Sequence, residues 1–233
     1  MTLDHLRGKH VVGVYPMLPD DTCWFVAADF DDAGWQEDVL AYARAARSLG
    51  LDVAVERSRS GNGAHDWLFF AEPVPAAQAR VLATHLLSLA MRERPSMTLA
   101  SYDRLFPSQD FMPKGGFGNL IALPLQLHAR DQGNSVFVDD ALLPHADPWC
   151  YLQSLRRIPR TELKAAAGSW SRHPAVARRS WWRRSWPAWV GRRWCSCTAS
   201  NSCGRGANSC GTCAASIDIK SAPWPVDATC RRG

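Results

Sequence analysis

The hydrophobic positions in the first two thirds of the chain fall into short runs of two kinds. Helix-like runs, with apolar residues every three to four positions, end near glycine or proline, as at Gly50 and Pro95. These helix-like runs occupy 34–50, 73–95 and 147–167. Strand-like runs, which are continuously apolar or alternate with polar residues, occupy 21–31, 51–60, 65–72, 118–126 and 134–139. Strands that alternate with helices predict a layered α/β (α+β) domain.

The pattern stops near Gly168, and the composition changes there as well. Residues 170–233 carry 11 Lys and Arg against 2 Asp and Glu, and they hold seven of the eleven Trp, whereas residues 1–169 carry 16 basic and 20 acidic side chains. We therefore divide the chain into a domain at 1–165 and an irregular basic tail at 166–233.

The mixture of Trp, Arg, Cys, Ser and Gly in the tail is typical of a GC-rich gene read out of frame, so a non-native tail is our first interpretation. A disordered basic arm is one alternative. A small zinc module is another, since Cys210 and Cys213 have the C-x-x-C spacing of zinc ligands. We do not expect zinc, because no predicted strand or helix surrounds the cysteines.

The first long strand ends in two acids, Asp29 and Asp31. Residues two apart share one face of a strand, so we expect both carboxylates to point the same way. Such a pair repels unless a cation lies between the charges or one group keeps its proton. Mg²⁺ and Mn²⁺ prefer oxygen ligands of this kind, so the pair predicts a metal site. The alternative is that Asp31 or Asp32 caps the next helix.

A glycine-containing turn joins the second and third long strands in "ERSRSGNGAHDWLFF". Backbone N–H groups of such turns can approach a phosphate closely, and a histidine at the start of the next strand, His65, can donate to a phosphate oxygen. The alternative is an ordinary hairpin whose histidine is satisfied by the backbone. We predict nucleotide contacts from the basic and turn residues Arg57, Arg59, Ser60, Gly61, Asn62 and Gly63.

A third polar stretch, "SYDRLFPSQDFMPKGGFGNLIALPLQ", holds two further acids and a lysine beside two glycines. Either Asp103 or Asp110 could supply a third carboxylate. Lys114 could bring its ammonium group to a triphosphate. The alternative is a plain surface loop with Asp110 as a turn residue.

The combination resembles the archaeo-eukaryotic primase superfamily, which is marked by an acidic pair, a small-x-His motif and a third acid after a hydrophobic residue. The sequence "GVYPMLPDDTCWFVAADFD", together with the two stretches quoted above, is similar to the primase domain of TOTE conflict systems. The resemblance covers roughly residues 5–160 and stops where the composition changes.

The resemblance implies roles for individual residues. Asp29 and Asp31 would hold the catalytic divalent metals, with Asp103 as the third acid. His65 would contact the nucleotide, with Ser60 near the small position of its motif. The implied fold is a sheet like that of RNA-recognition motifs with an added α/β unit, forming a cleft.

The implied activity is that of a DNA primase or primase-polymerase, a template-dependent nucleotidyltransferase that uses two Mg²⁺ or Mn²⁺ ions. Its partners would be a single-stranded DNA template, nucleoside triphosphates and a helicase or nuclease of the same system. The alternative is an inactive or truncated nucleic-acid-binding module.

Residues 1–169 carry more acidic than basic side chains, which disfavours phosphate binding by the domain as a whole. We therefore expect phosphates to be bound by local groups of basic side chains. The candidate stacking residues are Trp67, Phe111 and Phe117. The candidate phosphate contacts are Arg57, Arg59, Arg104, Lys114, Arg130, Arg156, Arg157 and Arg160. No apolar run reaches the roughly 18 residues that span a bilayer, and the N-terminus lacks a signal-peptide pattern, so we expect a cytoplasmic protein without membrane contact.

Overall fold

A computed structural model describes residues 1–31, 33–97 and 102–163, with the backbone alone described at Tyr102 and Asp103. The predicted tail at 166–233 lies outside the described residues. The helices are α1 (Thr2–Leu6), α2 (Trp35–Ser48), α3 (Ala76–Glu93), α4 (Leu127–Arg130) and α5 (Pro148–Ser154). The strands are β1 (Gly13–Val14), β2 (Thr22–Phe30), β3 (Ala54–Arg57), β4 (Ala64–Pro75), β5 (Tyr102–Phe106), β6 (Ile121–Ala122) and β7 (Val136–Val138).

Five of the strands form one sheet in the order β5–β2–β4–β3–β7, and every neighbouring pair is antiparallel. The chain order β2–α2–β3–β4–α3–β5 places the four strands of this unit in the spatial order fourth, first, third, second. This is the split βαββαβ arrangement of ferredoxin-like and RNA-recognition-type sheets. Strand β7 extends one edge, and β1 pairs with β6 in a separate two-stranded ribbon. The expected mixed α/β fold is confirmed.

Helices α2 and α3 cover one face of the large sheet. The buried residues of α2 follow helical spacing, at Val39, Tyr42, Ala43 and Ala46. They pack with α3 and with the inward-facing residues of β2, β3 and β4 in the main core. The chain leaves α2 through Gly50, whose φ of 72° and backbone bond to the Arg47 carbonyl form a C-terminal cap. Among the described helices, none is long and apolar enough to cross a membrane.

The opposite face of the large sheet, which we call the site face, is partly covered by a second core. Phe25, Ala27, Trp67, Phe106 and Phe137 form its centre, and side chains from α1, β1 and α5 pack against it. Because β2 and β4 are covered on both sides at this point, their sequences read as nearly continuous apolar runs.

The structure departs from the predicted elements in several places. The helix-like run at 147–167 is broken, since α5 ends at Ser154 and helix resumes only at Arg160. The strand expected at 51–60 is only four residues long, because the chain turns after Arg57. The strand expected at 118–126 is reduced to two residues that pair with β1. Strand β5 was not expected, since its "YDRLF" sequence carries two adjacent charged residues.

Candidate active site

A row of polar side chains crosses the site face on four neighbouring strands. The strand register pairs Arg104 on β5 with Asp29 on β2, Asp29 with His65 on β4, and His65 with Glu56 on β3. Directly opposed residues of antiparallel strands point to the same face, so the four side chains form one line. Along each strand, the apolar residues that flank the row pack either in the second core on the site face or in the main core beneath the helices. The row is therefore held by rigid strands.

The contacts along the row are close. The imidazole Nδ1 of His65 lies 3.0 Å from Oε2 of Glu56, and its Nε2 lies 3.4 Å from Oδ1 of Asp29. The guanidinium Nε of Arg104 lies 3.8 Å from the other carboxylate oxygen of Asp29. The side chains of Asp29 and His65 are 13% and 11% exposed, whereas that of Arg104 is 52% exposed. The row thus passes from buried Glu56 to a cationic group in contact with solvent.

The two carboxylates beside His65 favour its charged form. Burial lowers the pKa of His65, but the hydrogen bond and charge of Glu56 and the charge of Asp29 together outweigh it, so the pKa lies above its ordinary value. The guanidinium of Arg104 acts in the lowering direction as well. A histidine in this setting is suited to donate from Nε2 to an anionic oxygen.

The glycine turn lies against the end of β2. A Cβ built on Gly63 would fall 2.6 Å from the Phe30 carbonyl oxygen and 3.1 Å from Cβ of Asp31, so only glycine lets the two segments approach this closely. Within the turn, the Ser60 hydroxyl lies 3.0 Å from that of Ser58 and accepts the Asn62 N–H. The structure therefore brings Asp31 together with the predicted turn, at the end of β2 and beside the row.

The strand register distinguishes the two candidates for a third acid. Strand β5 pairs Arg104 with Asp29 and Tyr102 with Phe30. The register shifts between these two pairs, so the backbone of Asp103 lies opposite the end of β2, between Asp29 and Phe30. Asp110, in contrast, forms an ion pair with Arg80 of α3. The backbone thus favours Asp103 over Asp110 as the third acid.

Several residues that we predicted as ligand contacts are placed elsewhere. Arg57 follows Glu56 on β3, so its side chain leaves on the opposite face, where it donates to the carbonyls of Gly133 and Leu142 at 3.4 and 2.9 Å. Trp67 is 2% exposed and cannot stack on a base without rearrangement.

The remaining basic candidates are spread over the domain. Arg59 and Lys114 are exposed, and the described part of the structure gives no hydrogen bond or ion pair that ties Lys114 to the row. Arg130 donates to the Leu6 carbonyl, and Arg156 pairs with Glu162. Of the basic residues we named, Arg104 is the one that the structure joins to the acid of β2.

The fit of a metal ion can be judged from the donor set. Within the described residues, no three His, Cys, Asp or Glu side chains are arranged to hold a metal ion, and the side chain of Asp103 lies outside that description. The donors that the backbone brings to the end of β2, at Asp29, Asp31 and Asp103, are all carboxylates. Carboxylates are hard oxygen ligands of the kind that Mg²⁺ and Mn²⁺ prefer, so the donor chemistry fits such an ion.

The sequence interpretation missed Glu56, which completes the row. The sequence alone places this residue within the predicted strand at 51–60 and gives it no role in the site. The signal that could have found it is alternation: in "VAVER", Ala54 and Glu56 share a face, and the pairing of β3 with β4 turns that face toward His65.

A four-stranded antiparallel unit of the split βαββαβ type, with an acid, a histidine and a second acid lined up across three neighbouring strands, defines the fold class and the site of this domain. Residues 1–166 match the family model of the TOTE conflict system archaeo-eukaryotic primase domain. The match covers more than half of the chain, so this chain belongs to that family. No curated protein matches the chain.

Proposed function

We propose that the domain at 1–165 is a metal-dependent nucleotidyltransferase that extends a nucleic-acid strand on a single-stranded template. Family membership supports a nucleotidyltransferase-type role. The single observation that supports the finer proposal is the row Arg104–Asp29–His65–Glu56, which places a carboxylate between an arginine and a histidine on one face of the sheet.

Asp29, His65 and Arg104 of the row each have a chemical task in this proposal. Asp29 and Asp31, with Asp103, would hold Mg²⁺ or Mn²⁺, which when bound lowers the pKa of a 3′-hydroxyl and neutralises the leaving pyrophosphate. His65 donates from Nε2 to a phosphate oxygen of the incoming nucleotide. Arg104 is exposed and placed to offset the negative charge of the triphosphate. No general base is needed, because positioning and electrostatics carry most of phosphoryl transfer.

A second candidate function is a nucleic-acid-binding module without catalysis. The observation that favours it is the set of exposed aromatic rings outside the row: Tyr15 and Phe117 lie 5.4 Å apart between ring centroids and are 42% and 55% exposed. Exposed rings of this kind can stack on bases of a single strand without any chemistry.

The experiment that tests the proposal compares Asp29→Asn with Asp131→Asn, an exposed aspartate outside the row. The full chain is supplied with a primed single-stranded template, labelled nucleotides and Mg²⁺ or Mn²⁺. Because loss of a supporting residue around a metal typically costs 10- to 100-fold, we expect Asp29→Asn to lower the incorporation rate by at least about a hundredfold. Asp131→Asn should match the wild type.

Two results would decide between the candidates. Incorporation that survives in Asp29→Asn contradicts the proposed role of the acid. Strand binding by a folded wild-type chain that incorporates no nucleotide with either metal supports the binding module instead.

A further inference from the structure

Glu56 is a buried and hydrogen-bonded carboxylate of the site face, and the reaction assigns it no direct contact. Glu56 is 2% exposed. Its Oε2 accepts the indole N–H of Trp67 at 2.8 Å and lies 3.0 Å from Nδ1 of His65. Its Oε1 accepts the hydroxyl of Ser135 at 3.5 Å. A buried carboxylate is costly unless its oxygens are bonded in this way.

The groups that donate to Glu56 indicate which ring nitrogen of His65 carries the proton that faces it. An indole N–H can only donate, so Oε2 already acts as an acceptor for Trp67. The geometry therefore fits an Oε2 of Glu56 that receives the Nδ1–H of His65 as well. This hydrogen bond fixes the orientation of the ring and leaves Nε2 for the ligand, to which Nε2 donates when both ring nitrogens carry a proton.

We propose that Glu56 is the positioning residue for His65, holding its Nδ1 proton so that Nε2 points along the row toward Asp29. The cross-strand register makes this possible, since Glu56 and His65 are directly opposed on β3 and β4. Trp67, two residues farther along β4, donates its indole N–H to the same carboxylate oxygen. Glu56 itself lies too deep to contact a nucleotide. The consequence for nucleotide binding rests on the proposed function, whereas the state of the imidazole does not.

The test reads the imidazole of His65 directly in the full chain. Long-range ¹H–¹⁵N spectra report which ring nitrogen carries a proton, and a His65→Ala sample assigns the signals among the seven histidines. In the wild type we expect a protonated Nδ1 with a strongly downfield proton. Glu56→Ala should remove that pattern. Glu56→Gln, which keeps the shape but loses the charge, should keep the Nδ1 proton and move its resonance upfield.

Asp66 provides the matched control. It is the next residue to His65 and is also a buried carboxyl, but it lies on the helix-covered face. Asp66→Asn should leave the His65 ring signals where they are. If His65 signals do not change in Glu56→Ala, or in Glu56→Gln where the alanine variant does not fold, the proposal is overturned.

A second measurement links the positioning to the nucleotide. A hydrogen bond to a charged group is worth about a ten- to hundredfold change in affinity, so Glu56→Ala and His65→Ala should each raise the nucleotide Kd by about that factor. The double variant should be no weaker than His65→Ala alone, because the two residues act as one unit. An additive double variant contradicts the proposal. A changed imidazole in a chain that binds no nucleotide supports the positioning role and contradicts the proposed function.

Discussion

Asp66 is a buried carboxyl in the middle of the main core, and its environment makes the stability of the domain depend on pH. It is 0% exposed and lies between Ala28 and Val55 of the neighbouring strands. Neither of its oxygens finds a hydrogen-bond partner among the described residues. Burial raises the pKa of Asp66 well above its ordinary value, and the distant charge of Arg47 only partly offsets this. The folded protein therefore keeps this carboxyl protonated.

The magnitude follows from proton linkage. Between the unfolded and folded pKa values of Asp66, unfolding releases one proton, so the unfolding free energy falls as pH rises. The slope in that interval is about 1.4 kcal/mol per pH unit. Asp66→Asn has nearly the same shape and cannot titrate. Its stability relative to the wild type should therefore grow by up to about 1.4 kcal/mol for each pH unit above the unfolded pKa.

The assay is urea unfolding of both chains, followed by far-UV circular dichroism from pH 4 upward in steps of about one unit, chosen to bracket the unfolded pKa. Urea is uncharged and leaves electrostatic interactions unscreened. Other titrating groups are common to both chains and cancel in the difference. Asp131→Asn, at an exposed position, serves as the control for the loss of a surface carboxylate. A flat difference between Asp66→Asn and the wild type would refute the assignment of a neutral buried carboxyl.

Three other substitutions test the packing and the exposed surface. Gly63→Ala places a Cβ 2.6 Å from the Phe30 carbonyl oxygen and should lower the unfolding free energy by about 1–3 kcal/mol; unchanged urea unfolding contradicts the close approach. Tyr42→Phe removes a hydroxyl that donates to the Ala83 carbonyl over 3.2 Å and should cost about 0.5–1.5 kcal/mol, a loss that an unchanged thermal midpoint excludes. Phe117→Ala removes a 55% exposed ring and should weaken single-strand binding by about 1–3 kcal/mol in fluorescence anisotropy; equal affinities count against stacking there.

The predicted elements that the structure confirms are those with a strong local pattern. The apolar spacing of α2, from Val39 to Ala46, and its glycine stop at Gly50 are local signals, and the helix forms there. The run that ends in Asp29 is likewise a strand with alternating faces. The glycine turn before His65 joins two paired strands as expected. In these cases the neighbours along the chain determine the structure.

The features that were missed depend on which strands pair. Strand β5 is an edge strand, and its adjacent charged residues Asp103 and Arg104 do not fit the apolar pattern of a buried strand. Its pairing with β2 could therefore not be predicted from the sequence. Arg57 looked like a phosphate ligand because of its charge. The face that it occupies follows from Glu56 pointing at His65, which requires the register between β3 and β4.

The site is therefore a property of strand register more than of any single motif. Glu56 and Asp66 illustrate this, because both are buried carboxyls on neighbouring strands and differ only in the face they occupy. Glu56 contacts Trp67 and His65 through Oε2, whereas the carboxyl oxygens of Asp66 have no hydrogen-bond partner among the described residues, and burial raises the pKa of Asp66 well above its ordinary value. A one-residue slip between β3 and β4 would move Glu56 to the helix side and put Arg57 beside His65. The geometry of the row thus depends on strand register, which the close packing at Gly63 supports where the turn between these two strands meets the end of β2.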